Sequence, residues 1–183
     1  MTDFLRLPSR AGTDGINAVV ETPRLTPAKI KYDPGLGCFS VSRYLVPGVA
    51  YPHSWGFVPS SCAADGDPLD VMILSDIATH PGLVMPSRPV GILQVEQSEK
   101  GRTFRNDRLF VVPMQEPRWS DLRNVLDLSE ATRSQLERFF VASVAGTGKI
   151  LRLQGWRDAD QAWQALSEAE RLFAERDGSH AKS

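Results

Sequence analysis

The order of the hydrophobic periodicities limits this chain more than any single residue does: short strand-like runs fill the first two-thirds, and helix-like runs appear only afterwards. Ile16 to Glu21 is a β-rich run broken by Pro23. Lys29 to Tyr32 and Phe39 to Tyr44 flank Asp33-Pro34-Gly35-Leu36-Gly37, a turn signal that predicts a hairpin. Val46 to Cys62 reads as a Pro- and Gly-rich loop and Leu69 to Leu74 as a buried strand. Val90 to Gln97 and Arg108 to Val112 read as a second hairpin around Ser98-Glu99-Lys100-Gly101. Asp127 followed by Glu130 has capping-box spacing and opens a helix through Leu136, Phe139 and Phe140. Ile150 to Leu153 is one further strand. Asp158 starts a second helix, with Trp163, Leu166 and Phe173 at helical spacing. Strands followed by helices predict one α+β domain with a closed or partly closed barrel, and argue against a doubly wound nucleotide-binding fold. Residues 1–183 are read as that single domain, with a loose tail from about residue 176.

A chain of 183 residues with 42% hydrophobic content can build one proper core. A net charge of −1 gives no electrostatic footprint for nucleic acid or an anionic membrane. No apolar run reaches membrane-spanning length, and the N-terminus lacks a signal-peptide core. These features predict a soluble, cytoplasmic protein. Cys38 and Cys62 have no metal or redox spacing and read as reduced packing residues; a disulfide between them is allowed but not needed. His53, His80 and His180 are scattered and give little support to a histidine-built metal site or a serine–histidine triad. Gly146-Thr147-Gly148-Lys149 lacks the first glycine of a phosphate-binding loop and reads as a helix stop.

The chemistry concentrates in Asp65-Gly66-Asp67-Pro68-Leu69-Asp70, three carboxylates in six residues running into Val71-Met72-Ile73-Leu74. Carboxylates this close repel one another unless cations are present, and oxygen ligands suit hard ions such as Mg²⁺. A solvated acidic turn before a strand is the alternative reading. Upstream lie Glu21, Lys31, Asp33, Arg43 and Tyr51. Lys31 and Asp33 are two apart on an extended chain and share a face, which Arg43 on the paired strand can also reach. Cations for phosphate oxygens beside carboxylates for Mg²⁺ are what phosphoryl chemistry requires.

Those residues, in that order, resemble the family I soluble inorganic pyrophosphatases. The signature Asp-x-Asp-Pro-x-Asp is Asp65 to Asp70 here, and Glu21 follows Val19-Val20. Lys31-Tyr32-Asp33 stands for Lys-Tyr-Glu; Tyr51-Pro52, Gly56-Phe57, Arg88-Pro89-Val90-Gly91, Phe139-Phe140 and Gly155-Trp156 complete the frame. The resemblance implies a five-stranded OB-like β-barrel with flanking C-terminal helices. It implies Mg²⁺-dependent hydrolysis of pyrophosphate to phosphate and a homo-oligomer, commonly a hexamer; the near-neutral charge and the lack of a long apolar run predict no nucleic-acid or membrane partner. Asp67 and Tyr51 become the catalytic residues, with Asp67 orienting or deprotonating the attacking water. Lys31, Arg43 and Arg108 become substrate-binding. Asp65 and Asp70, with Glu21, Asp33, Asn106 and Asp107, become the metal-ligand candidates.

The chain departs from the family inside the site. Gln97 stands where an aspartate is usual, and Asn106-Asp107-Arg108 stands for Asp-x-Lys. Trp55 replaces a tyrosine, and Ser143-Val144 replaces Tyr-Lys. Asp107 and Glu96 are tempting substitutes, but a one-residue shift on a strand turns a side chain to the opposite face. Glu96 and Arg105 read instead as an outward cross-strand ion pair. Two other readings therefore stand beside the pyrophosphatase: a paralogue hydrolysing an organic diphosphate, and a non-catalytic OB-like binding or assembly module.

Overall fold

The computed structural model describes residues 2–180. After a 3-10 turn at Phe4–Arg6, the elements are β1 (Ile16–Thr22), β2 (Ala28–Asp33), β3 (Cys38–Tyr44), β4 (Ser54–Phe57), β5 (Asp70–Ile73), β6 (Val84–Glu99), β7 (Arg102–Arg105), β8 (Arg108–Pro113), α1 (Glu130–Ser143), β9 (Ile150–Arg157) and α2 (Ala159–His180). Strands β1, β4, β5, β8 and β6 pair in that order, and β6 returns to β1, so five strands close a ring. With its two helices this is the expected OB-like α+β arrangement. The β2–β3 hairpin forms its own sheet. It is tied to β1 through Thr22 Oγ1, which accepts from Ile30 N at 2.9 Å and donates to Ile30 O at 3.0 Å.

Strand β6 makes the ring possible. It is 16 residues long and serves β1 near its start, β8 in the middle, and β9 and β7 towards its end. Register shifts at Pro89/Gly91 and Gln94/Val95 bend it between those tasks. Ring strands are buried on both faces, so their side chains alternate between two cores. Phe110 and Val112 of β8 join Met72 and Leu74 in one, covered by Leu136, Phe139 and Phe140 of α1. Leu109 and Val111 join Val71 and Ile73 in the other, covered by Ala162, Leu166 and Ala169 of α2. Where β4 crosses β1, a Cβ on Gly56 would stand 1.8 Å from the Val19 carbonyl oxygen, so only glycine fits.

Several boundaries differ from the sequence reading. β4 lies inside the stretch read as loop. The hairpin at Lys100-Gly101 joins β6 to β7, a strand the sequence reading lacked; β8 pairs further back along β6. The helix expected from Asp127 starts two residues later, capped by Ser129, whose hydroxyl accepts from Thr132 N at 3.1 Å. Asp127 instead closes a 3-10 turn, Val125–Asp127. α2 continues to His180, through part of the expected tail, while residues 181–183 lie outside the described residues. Both cysteines are free, and Cys62 is buried, but Cys38 is exposed on β3 rather than packed.

Candidate active site

The acidic segment is a built loop. Ala63 N donates to Asp67 O at 2.8 Å, Gly66 N to Ala63 O at 2.9 Å, and Asp67 N to Asp65 Oδ1 at 3.1 Å. Gly66 has φ +86°, a conformation that favours glycine. The loop delivers Asp70 to the first position of β5. Arg108 is the first residue of β8, and β5 and β8 run parallel with Val71 opposite Leu109. The two strand starts thus lie side by side, and Arg108 Nη1 bonds to both Asp70 Oδ2 and Asn106 Oδ1. Its guanidinium lies 5.4 Å from the Trp55 ring centroid, a cation–π contact that keeps the aromatic plate in the site.

Lys31 reaches the loop from β2, with Nζ 2.9 Å from Asp67 Oδ2. Burial pulls the Lys31 ammonium down, but the bond to Asp67 and the neighbouring carboxylates outweigh it and hold the group above its ordinary value. Asp65 is held above the usual carboxylate range, first by burial and then by the charge on Asp70. A β-bulge directs Arg43. Lys29 pairs with Arg43, yet Ile30 pairs with Val41, so Ser42 is the extra residue. That extra residue turns Arg43 onto the Lys29 and Lys31 face.

These side chains line one cleft of about 850 Å³, together with Tyr51, Trp55, Gln97, Asn106, Ser143 and Val144. Tyr51 packs on Phe139 at 5.0 Å, and burial raises its phenol, which therefore stays a proton donor. The opposite wall is neutral: Asn106 Nδ2 donates to Gln97 Oε1 at 3.3 Å, and Ser143 Oγ donates to Phe140 O at 2.8 Å. Lys149 is drawn to Glu99 at 3.0 Å.

Three sequence candidates fall elsewhere. Asp107 points away from the cleft, its oxygens accepting from Val95 N at 2.9 Å and Arg105 Nε at 2.6 Å. Alternation sends Asn106 and Arg108 one way and Asp107 the other. Asp33 Oδ1 accepts from Gly35 N and Leu36 N at 2.9 and 3.0 Å and closes the hairpin turn. Glu21, only 4% exposed, accepts from Tyr32 N at 2.8 Å, and burial pushes it up to about 7. It faces a smaller cavity of about 340 Å³ behind Lys31 and Asp67. Glu96 and Arg105 are opposite each other, but Arg105 bonds to Asp107 and Glu96 approaches Arg152 at 3.8 Å. Lys29 and Arg102 line the cleft without having been singled out. For Lys29 the signal was present, since it stands two residues before Lys31 on one strand.

Among the described residues, no three carboxylate, imidazole or thiolate groups converge on a metal position, because Asp67 is turned to Lys31 and Asp70 to Arg108. The donor chemistry nevertheless fits a hard divalent ion: burial and, after it, the charge on Asp70 raise Asp65, and a bound cation would offset both.

A five-stranded ring that sets paired cations and carboxylates in one polar cleft has the groups that phosphoryl-transfer chemistry requires. Comparison with known proteins gives the family. The inorganic pyrophosphatase family profile matches residues 18–174. An inorganic pyrophosphatase of Synechocystis is 31% identical over 166 residues, covering 91% of this chain and 96% of that protein. The Thermus thermophilus inorganic pyrophosphatase is 34% identical over 154 residues, covering 82% and 86%. A crystal structure of an inorganic pyrophosphatase from Thermus thermophilus superposes with a TM-score of 0.87 at 29% identity, covering 94% of this chain and 99% of that one. The chain belongs to the inorganic pyrophosphatase family, and that membership implies a divalent metal cofactor. Among the described residues, no helix is long and apolar enough to cross a membrane.

Proposed function

We propose that the cleft hydrolyses inorganic pyrophosphate to two phosphates with Mg²⁺, and that the pairing of Lys31–Asp67 with Arg108–Asp70 across one cavity carries this reading. Asp65 and Asp70 would hold the metal, which when bound neutralises phosphoryl charge and lowers the pKa of a coordinated water. Pyrophosphate oxygens compete for the Lys31 ammonium and so release Asp67 Oδ2. The freed carboxylate accepts a proton from the water that adds to one phosphorus. The bridging oxygen leaves with the other phosphorus as phosphate. Arg43 and Arg108 stabilise the charge that builds on the phosphoryl oxygens, and the Tyr51 hydroxyl donates to one of them.

The profile match across nearly the whole chain supports a single domain. Family resemblance supports a cytoplasmic homo-oligomer of hexameric type, and exposed Leu25 and Tyr44 are apolar surface such an assembly would cover. A second reading has one observation in its favour. Phe104, Val144 and Leu151 add apolar surface to the cleft lining, which suits an organic diphosphate.

Phosphate release from pyrophosphate in Mg²⁺, lost in Asp67→Asn, is the expected result. A folded protein inactive with several divalent metals would overturn the hydrolytic reading. A substrate panel with an organic diphosphate well ahead of pyrophosphate would establish the second one.

A further inference from the structure

The cleft residues carried by the β2–β3 hairpin are only as well placed as the hairpin itself. It is a separate two-stranded sheet, outside the ladder that closes the five-stranded ring. Two strands without further packing are marginally stable. Thr22 and Glu21 of β1 bond to it at Ile30 and at Tyr32 N. Alternation along β2 turns Lys31 to Asp67 and Tyr32 to the opposite face, where Tyr32 meets its cross-strand partner Phe39.

Phe4, in the 3-10 turn near the N-terminus, closes that pair into a triangle of aromatic rings. Its centroid lies 5.3 Å from that of Tyr32 and 5.2 Å from that of Phe39, edge-on to both, and the two hairpin rings are 5.2 Å apart. The triangle rests on bare backbone: a Cβ on Gly82 would stand 3.2 Å from Phe39 Cε2 and 3.3 Å from Phe4 Cζ. Gly82 N donates to Val20 O at 2.9 Å, so this seat is anchored to β1.

The strap that carries Phe4, residues 3–7, is fastened at two further points. Ser60, in the stem of the acidic loop, gives its N–H to Leu5 O and its hydroxyl to Leu7 O, each at 2.8 Å. It does so at φ +48°, a backbone that serine rarely adopts, and the two bonds offset that strain. Arg6 Nη1 donates to Asp177 Oδ2 of α2 at 3.0 Å. The strap thus joins the hairpin, the stem of the acidic loop and α2. Leu5 and Arg6 line the smaller cavity behind Lys31 and Asp67, and among the described residues none of the strap lines the larger cleft.

We infer that Phe4 is a positioning residue: by fixing the hairpin against the stem of the acidic loop, it sets where Lys31 meets Asp67 and so how the cleft receives a diphosphate. The inference rests on the larger cleft being the diphosphate site. A binding group displaced by about 1 Å can cost roughly 100-fold in rate, so a remote wedge of this kind has a functional readout.

The test compares the full chain with Phe4→Ala at a temperature where circular dichroism shows both folded. Phe4→Ala should raise KM for pyrophosphate about tenfold and weaken methylenediphosphonate, a non-hydrolysable diphosphate, by a similar factor in calorimetric titration. Mg²⁺ affinity without the diphosphonate should stay within about twofold, because the loop's own bonds and β5 hold Asp65 and Asp70. Phe4→Met, whose flexible side chain refills the space, should return KM to within about threefold of the parent. A Phe4→Ala protein that melts lower yet keeps KM and diphosphonate affinity within about twofold would show a merely structural aromatic and overturn the inference. Mg²⁺ affinity falling as far as diphosphonate affinity would also overturn it, by placing the effect in the acidic loop. Should Phe4→Ala fail to fold, hydrogen exchange of the unaltered protein decides. Coupling is reciprocal, so methylenediphosphonate in the cleft should slow exchange of the Leu5 and Arg6 amides about threefold, although the strap does not line that cleft. Unchanged exchange there rejects the inference. A parent protein that binds no diphosphonate and hydrolyses no pyrophosphate would remove the reading of the cleft and this inference with it. Normal hydrolysis with an indifferent Phe4 would remove only the inference.

Discussion

Arg108 shows how much one residue can settle at this site. Its guanidinium touches Asp70, Asn106 and the Trp55 ring, so it neutralises a carboxylate, saturates an amide and fixes an aromatic plate together. An aspartate at 106 would give the same guanidinium a second anion and the acidic loop a fourth carboxylate to share a cation with. Asn106→Asp should therefore tighten Mg²⁺ binding about tenfold, since affinity for hard ions rises with ligand charge. Titration calorimetry on the folded variant reads this directly, and an unchanged affinity would show that position 106 does not reach the metal. The acidic signature and Lys31, Arg43 and Arg108 were legible as residues. Asp107 and Asp33 were legible only as charges. Whether a carboxylate serves a cleft or a backbone N–H depends on one step of strand alternation and on one turn, and composition carries neither.

Elements decide where those residues point. The β3 bulge at Ser42 and the parallel alignment of β5 with β8 have no local sequence signal; the first lies in the separate β2–β3 sheet, and the second follows from closing the ring. Long, strongly patterned segments such as α1 and the β2–β3 hairpin were readable. Four-residue strands such as β4 and β7 were not, because Ser54-Trp55-Gly56-Phe57 and Arg102-Thr103-Phe104-Arg105 are too short to show a period. α2 matters most among the elements the sequence undervalued. Its Ala169 carbonyl accepts from Cys62 N at 2.9 Å, and Arg176 Nη1 donates to Gly66 O at 2.8 Å. Through Arg176, the start of the segment read as tail thus grips the loop that carries Asp65 and Asp67. Arg176→Met should speed amide hydrogen exchange across residues 63–68 about fivefold, the worth of roughly one solvent-exposed hydrogen bond, with little change elsewhere. Exchange that stays at the parent rate would mean the loop holds itself.

On the scale of the whole molecule, two groups pull stability in opposite directions as pH changes. Glu21 is raised to about 7 chiefly by burial, so between the usual carboxylate range and about 7 the folded state binds more protons than the unfolded one. Stability falls as pH rises through that window. His53 is lowered, again chiefly by burial, with Arg24 adding to the effect and Asp76 and a Ser75 backbone bond opposing it. Its ring meets Trp119 edge-on at 5.8 Å, and its Nδ1 is buried without a hydrogen-bond partner among the described residues. For His53 the unfolded chain binds the extra proton below about 6.5, so its contribution is intact above that pH and is lost as pH falls towards the folded value. Because the two slopes oppose, the melting temperature of the parent alone would hide both. The informative quantity is the difference between parent and His53→Phe, which keeps the ring against Trp119 and cannot titrate. Measured by calorimetry from pH 8 to pH 5, the parent should lose ground to the variant only below about 6.5. A difference that stays constant across that range would show that His53 is as well solvated folded as unfolded, and that its contact with Trp119 is open to water.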